Sequence, residues 1–119
     1  MENLKLYDGE FKFINLIWDS EPVGSTELVR LCADKLGWKK STTYTMLRKL
    51  AERGLLQNKE AVVTTLIKRE QVQQFETETL LNKMFGGSAP SFIASFLHGR
   101  TLSETEAREI QQMIQEAIK

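Results

Sequence analysis

At 119 residues, with 41% hydrophobic and 27% charged residues but only seven Gly and two Pro, the chain fits one compact globular unit or two very small ones, not a disordered polymer. Sixteen Lys and Arg balance sixteen Asp and Glu; the opening "MENLKLYDGE" carries charges, and no window approaches the roughly 18 uninterrupted apolar residues of a membrane span, which predicts a soluble, cytoplasmic protein. The single Cys32 supplies neither an intramolecular disulfide nor a pair of metal ligands and reads as a small core residue, so no zinc site, other metal or cofactor is expected.

The first element is "DGEFKFINLIWDSE", where Asp8 is the expected N-cap and Phe11, Ile14, Ile17 and Trp18 form an apolar stripe at helical spacing. Pro22 separates it from "GSTELVRLCADKLG". There Ser25 is the expected cap, Leu28, Val29, Cys32 and Leu36 bury, and Gly37 ends the helix.

The next segment, "GWKKSTTYTMLRKLAERGLL", concentrates charge. Residues 35 to 59 hold seven basic side chains against Glu52 alone, so a window of net +6 sits in a neutral chain. A basic run is often only a solvated helix face, whereas a focused one is also the footprint of a phosphate-binding surface. On a helix beginning near Ser41, Thr43, Leu47 and Leu50, flanked by Met46, converge on one side. Ser41, Tyr44, Thr45, Arg48 and Lys49 gather on the other. Short hydroxyls and a phenol in the first turn can approach base edges, while Lys39, Lys40 and Lys49 can hold phosphates. A merely solvated helix would show Glu and Lys pairs there instead.

Downstream, "LLQNKEAVVTTLI" alternates Val62, Thr64 and Leu66 against Val63, Thr65 and Ile67, which predicts two short strands joined at "NKEA". Three helices and a hairpin make a winged helix, with residues 25 to 36 supporting and residues 41 to 53 reading the major groove. The fold class is therefore mainly α with a small β-hairpin: a winged helix-turn-helix over residues 1–68, followed by a helical dimerisation region over residues 69–119.

That second region is slightly acidic and striped. Val72, Phe75, Leu80, Leu81, Met84 and Phe85 form one apolar row, "GGSAP" breaks the chain, and Phe92, Ile93, Phe96 and Leu97 form another. The last helix opens with a capping box, Ser103 and Glu106, and carries Ala107, Ile110, Met113, Ile114, Ala117 and Ile118 at near-heptad spacing. A unit of roughly 50 residues is marginal as an independent core, so a second copy of the chain is expected to cover Phe75, Leu80, Phe92, Phe96, Ile110, Met113, Ile114, Ala117 and Ile118. The competing arrangement folds these helices back on the winged helix as a monomer.

Nothing points to catalysis. His98 is the only histidine and reads as a surface residue near a helix end. Gly86 and Gly87 are a hinge, since no strand precedes them and no Lys-Ser/Thr follows. Winged helices also serve as protein adaptors, but an adaptor should expose large apolar residues over 41 to 53.

The stretch "LIWDSEPVGSTELVRLCADKLGWKKSTTYTMLRKLAERGLL" resembles the penicillinase-repressor (BlaI/MecI/CopY) family, with its "xxIW" first helix and its "W…(S/T)T…TML.RL…KG.L" pattern. Similarity continues more loosely through "LLNKMFGGSAPSFIASFL". The resemblance implies a homodimeric bacterial repressor bound to operator DNA, with contacts at Lys40, Ser41, Thr42, Tyr44, Thr45 and Lys49. It also implies a membrane-sensor metallopeptidase as inactivating partner and cleavage at a bond matching Ser95–Phe96 in response to a β-lactam, other inducers remaining open. Family wings commonly carry Gly and then a basic residue at the tip. Here "KEAVVTT" leaves Lys59 as the wing's basic candidate. The copper-responsive branch would need clustered C-terminal cysteines, which this chain lacks.

Overall fold

Glu10, Phe13, Ile14 and Ile17 recur at intervals of three, one and three residues, which puts all four on one side of a helix. The computed structural model, whose described residues are 4–119, buries that side of α1 (Asp8–Ser20). Phe11, expected in the stripe, is instead 37% exposed and meets Trp18 edge-on, while Phe13 takes the core position and stacks on Trp38 with ring centroids 5.5 Å apart. Tyr7 stands at the N-cap in place of Asp8, and its backbone N–H donates to Glu10 Oε1 at 2.9 Å.

A two-residue strand, β1 (Val23–Gly24), leads into α2 (Ser25–Leu36). Gly24 holds the cap position expected of Ser25, which is instead the first helical residue and is buried. Leu28 and Cys32 bury fully, whereas Val29 and Leu36 are half-buried. Gly37 closes α2 in the left-handed region at φ 69°, a conformation an L side chain resists. Three residues then lead to α3 (Lys40–Glu52), completing a helix-turn-helix.

Strands β2 (Leu56–Lys59) and β3 (Val62–Thr65) pair antiparallel, and β1 joins the other edge of β3, giving the order β1-β3-β2. Lys59 faces Val62, so the hairpin loop has two residues, Glu60 and Ala61, with φ of 52° and 64°. The left-handed pair matches the twist of a hairpin, and the tight turn forms here without glycine. Val63 and Ile67 point inward, joining Leu28, Leu47, Leu50, Leu55 and Leu56 in one core, and Trp18 Nε1 donates to Ile67 O at 3.1 Å.

Helix α4 (Arg69–Phe85) starts on this core: Val72 is fully buried in it and Phe75 packs against it. Arg69 stacks over Trp18 at 5.2 Å and donates to Asn15 Oδ1 at 2.9 Å. Compact units consequently divide between Thr79 and Leu80, inside α4, whereas the change in sequence character falls at residue 68.

The second unit, residues 80–119, contains the end of α4 together with α5 (Ala89–Leu97) and α6 (Glu104–Ala117). Ser88 caps α5, accepting from the Ser91 N–H at 3.1 Å. Ser103 and Glu106 form the expected capping box on α6. Phe85 meets Phe92 edge-on at 5.6 Å. No residue of α5 or α6 is fully buried.

Candidate nucleic-acid interface

Helix α3 divides sharply by face. Thr43, Leu47 and Leu50 are buried, with Thr43 turning its hydroxyl onto Lys39 O at 3.4 Å. Ser41, Thr42, Thr45 and Arg48 are exposed, and Ser41, Thr45 and Arg48 fall within one narrow stripe at 100° per residue. Lys39 is the N-cap residue and Lys40 opens the helix, both exposed. Hydroxyls on the axis of the exposed face, with ammonium groups at its positively polarised end, suit a surface that approaches base edges while holding phosphates.

Two residues of the expected set have partners within the chain. Tyr44 is half-buried against the core and its phenol donates to Ser25 Oγ at 3.4 Å. Lys49 Nζ lies 2.8 Å from Glu10 Oε2. Arg53, one turn further on, approaches Glu10 Oε1 at 3.4 Å and donates to Lys5 O at 2.8 Å. Burial pushes the Glu10 carboxyl up. The hydrogen bonds from Lys49 and the Tyr7 N–H, with the charges of Lys49 and Arg53, outweigh that and hold it below the ordinary carboxylate range. Glu10 is buried while Lys49 stays half-exposed, so the carboxylate favours keeping its cations close, with Arg53 and the Tyr7 N–H on Oε1 and Lys49 on Oε2.

Sequence reasoning missed Glu10, although its spacing to Phe13, Ile14 and Ile17 is the signal that a carboxylate lies on the buried face. It also missed Asn58, which lines a shallow hollow between α3 and β2 with Tyr44, Leu47, Arg48 and Ala51. Lys59 ends β2 beside the acidic turn residue Glu60, and both are exposed. The Cys32 thiol is pushed up by burial, as expected for a core residue and not a reactive one.

In the second unit, Leu80, Ile93, Phe96, Leu97, Met113, Ile114 and Ile118 are between 38% and 64% exposed. Phe92 and Ile110 are half-buried and Ala117 is exposed. An apolar groove runs between α5 and α6, bounded by Phe96, Leu97, Ile110 and Ile114. Ser95 and Phe96 lie within α5; the Arg100 guanidinium stands 4.3 Å from the Phe96 ring centre and its Nε donates to Phe96 O at 2.9 Å. No helix among the described residues is long and apolar enough to cross a membrane.

The family model described as penicillinase repressor matches residues 7–116. The chain is 26% identical over 116 residues to a penicillinase repressor of Bacillus licheniformis, covering 94% of this chain and 91% of that one. It is 19% identical over 114 residues to the methicillin resistance regulatory protein MecI of Staphylococcus aureus (strain Mu50 / ATCC 700699), covering 92% and 93%. A 16.5 kDa protein of Latilactobacillus sakei is 23% identical over 109 residues, covering 88% and 75%.

Proposed function

The chain belongs to the penicillinase repressor family, and from that membership we propose that it represses transcription as a homodimer bound to a pseudo-palindromic operator. In this reading, α3 enters the major groove. Ser41, Thr42 and Thr45 face base edges, Lys39, Lys40 and Arg48 hold phosphates, and Lys59 approaches the backbone from the wing. One observation carries it: α3 exposes hydroxyl and basic groups and no large apolar side chain, in a chain with no net charge. A protein adaptor would present the opposite face.

The exposed apolar faces of α5 and α6 support the dimer, because a second copy would remove them from water at roughly 25 cal/mol per Å². A two-fold pair would set its recognition helices about 34 Å apart, in successive major grooves. Binding of a short palindromic duplex should therefore weaken steeply as salt rises, each neutralised phosphate contributing about 0.9 to the log–log slope. Affinity that ignores salt would refute the reading.

Release of repression follows from the same architecture. Cleavage of Ser95–Phe96 by a membrane-sensor metallopeptidase responding to a β-lactam would detach α6 and its apolar row from the covalent subunit. The bond lies within a helix, so it must open locally before a protease can engage it. Mass spectrometry of cells exposed to a β-lactam should find fragments ending at Ser95. Intact protein despite derepression would refute cleavage as the step that ends repression.

A further inference from the structure

We infer that Glu10 withholds Lys49 from nucleic acid, acting as a positioning residue that limits the charge α3 presents to phosphates. The inference rests on the DNA-binding reading above and deepens it.

The Glu10 side chain is 3% exposed, yet two cations one turn apart converge on it: Lys49 of α3 at 2.8 Å and Arg53, the C-cap residue of that helix, at 3.4 Å. Its Oε1 also takes the Tyr7 N–H at 2.9 Å. The Lys49 side chain remains 54% exposed, so its ammonium stands at the rim of the exposed face and would reach a phosphate only by leaving the carboxylate. A carboxylate already out of water has no solvent to replace that cation, whereas the phosphate backbone retains its condensed counterions. The buried site therefore keeps Lys49. Two of the seven basic residues in the charged window are turned toward α1, leaving Lys35, Lys39, Lys40, Arg48 and Lys59 to do the electrostatic work. Because phosphate contacts bind all sequences alike, holding one charge per subunit back lowers non-specific affinity and raises the share of binding that base contacts supply.

The test measures the salt dependence of binding to a random-sequence duplex by fluorescence anisotropy, using the full chain. Lys49→Met should leave the log–log slope unchanged. Glu10→Gln frees the ammonium and should steepen the slope by about one per subunit, with tighter low-salt binding; combining it with Lys49→Met should restore the original slope. A Lys49→Met slope shallower by about one, or a Glu10→Gln slope equal to that of the unaltered protein, would overturn the inference. Circular dichroism checks each variant's fold. If Glu10→Gln does not fold, Lys49→Met decides alone by the same criterion. Absence of salt-dependent duplex binding by the unaltered protein would overturn the DNA-binding reading and this inference with it.

Discussion

The wing turn offers a sharp test of how local strain shapes this fold. Glu60 and Ala61 both hold positive φ, at 52° and 64°, in a two-residue loop whose neighbours Lys59 and Val62 are paired. Each L residue in that region costs roughly 1–2 kcal/mol, and glycine escapes it while giving back about 0.5–1 kcal/mol in unfolded-chain entropy. Ala61 is exposed, and its carbonyl, which accepts the Ser25 N–H at 2.8 Å, is retained by any substitution. Ala61→Gly should therefore stabilise the first unit by about 0.5–1 kcal/mol, a rise in melting temperature of roughly 2–8 °C for a domain of this size. Glu60→Asn should add to the gain, because asparagine tolerates the left-handed region. Ala61→Val, β-branched, should destabilise by about 1 kcal/mol or more. Trp18 and Trp38 both belong to the first unit, so their fluorescence during urea unfolding reports on it directly. A lower midpoint for Ala61→Gly, or no change for Ala61→Val, would refute the argument.

Two further outcomes follow from burial and charge. The folded Glu10 carboxyl lies below its ordinary value of 4.5, so the stability it contributes is present above that value and is lost as pH falls through the folded pKa. Stability of the unaltered protein and Glu10→Gln should differ near neutrality and converge in acid; a constant difference down to about pH 3 would contradict this. Ile114→Asp places a carboxylate in the apolar row of α6, at a cost of several kcal/mol if a partner covers it, so dimer dissociation constants should rise by about 100-fold or more. Sedimentation showing an intact dimer would move the interface away from Ile114.

Much of α3 was legible because its periodicity is unambiguous: Thr43, Leu47 and Leu50 bury as spacing required. The first helix was harder. In "FKFINLIW" apolar residues occupy several faces, and a glutamate at a core position disguises the true one, so Phe11 stood in for Phe13. The signal that would have corrected it also marks the Lys49 partner. Strand β1 has two residues and leaves no periodic pattern to read, while the wing's tight turn lacks the glycine that ordinarily announces it. Helical character runs unbroken from Arg69 to Phe85, so nothing in local sequence marks a division that Val72 moves into the helix. The apolar rows of α5 and α6 were readable as rows; what covers them is a property of more than one chain.

The central claim is that the exposed face of α3 reads DNA bases, and Thr45, exposed in the stripe between Ser41 and Arg48, tests it most directly. Affinities of the unaltered protein and Thr45→Ala should be compared across a set of palindromic duplexes that differ by single base pairs in each half-site. Base contacts specify while phosphate contacts only position, so Thr45→Ala should reorder the preferred duplexes, by about 1–3 kcal/mol at the affected position, and leave the salt slope unchanged. An unchanged order of preference, with all duplexes weakened equally or not at all, would contradict the account.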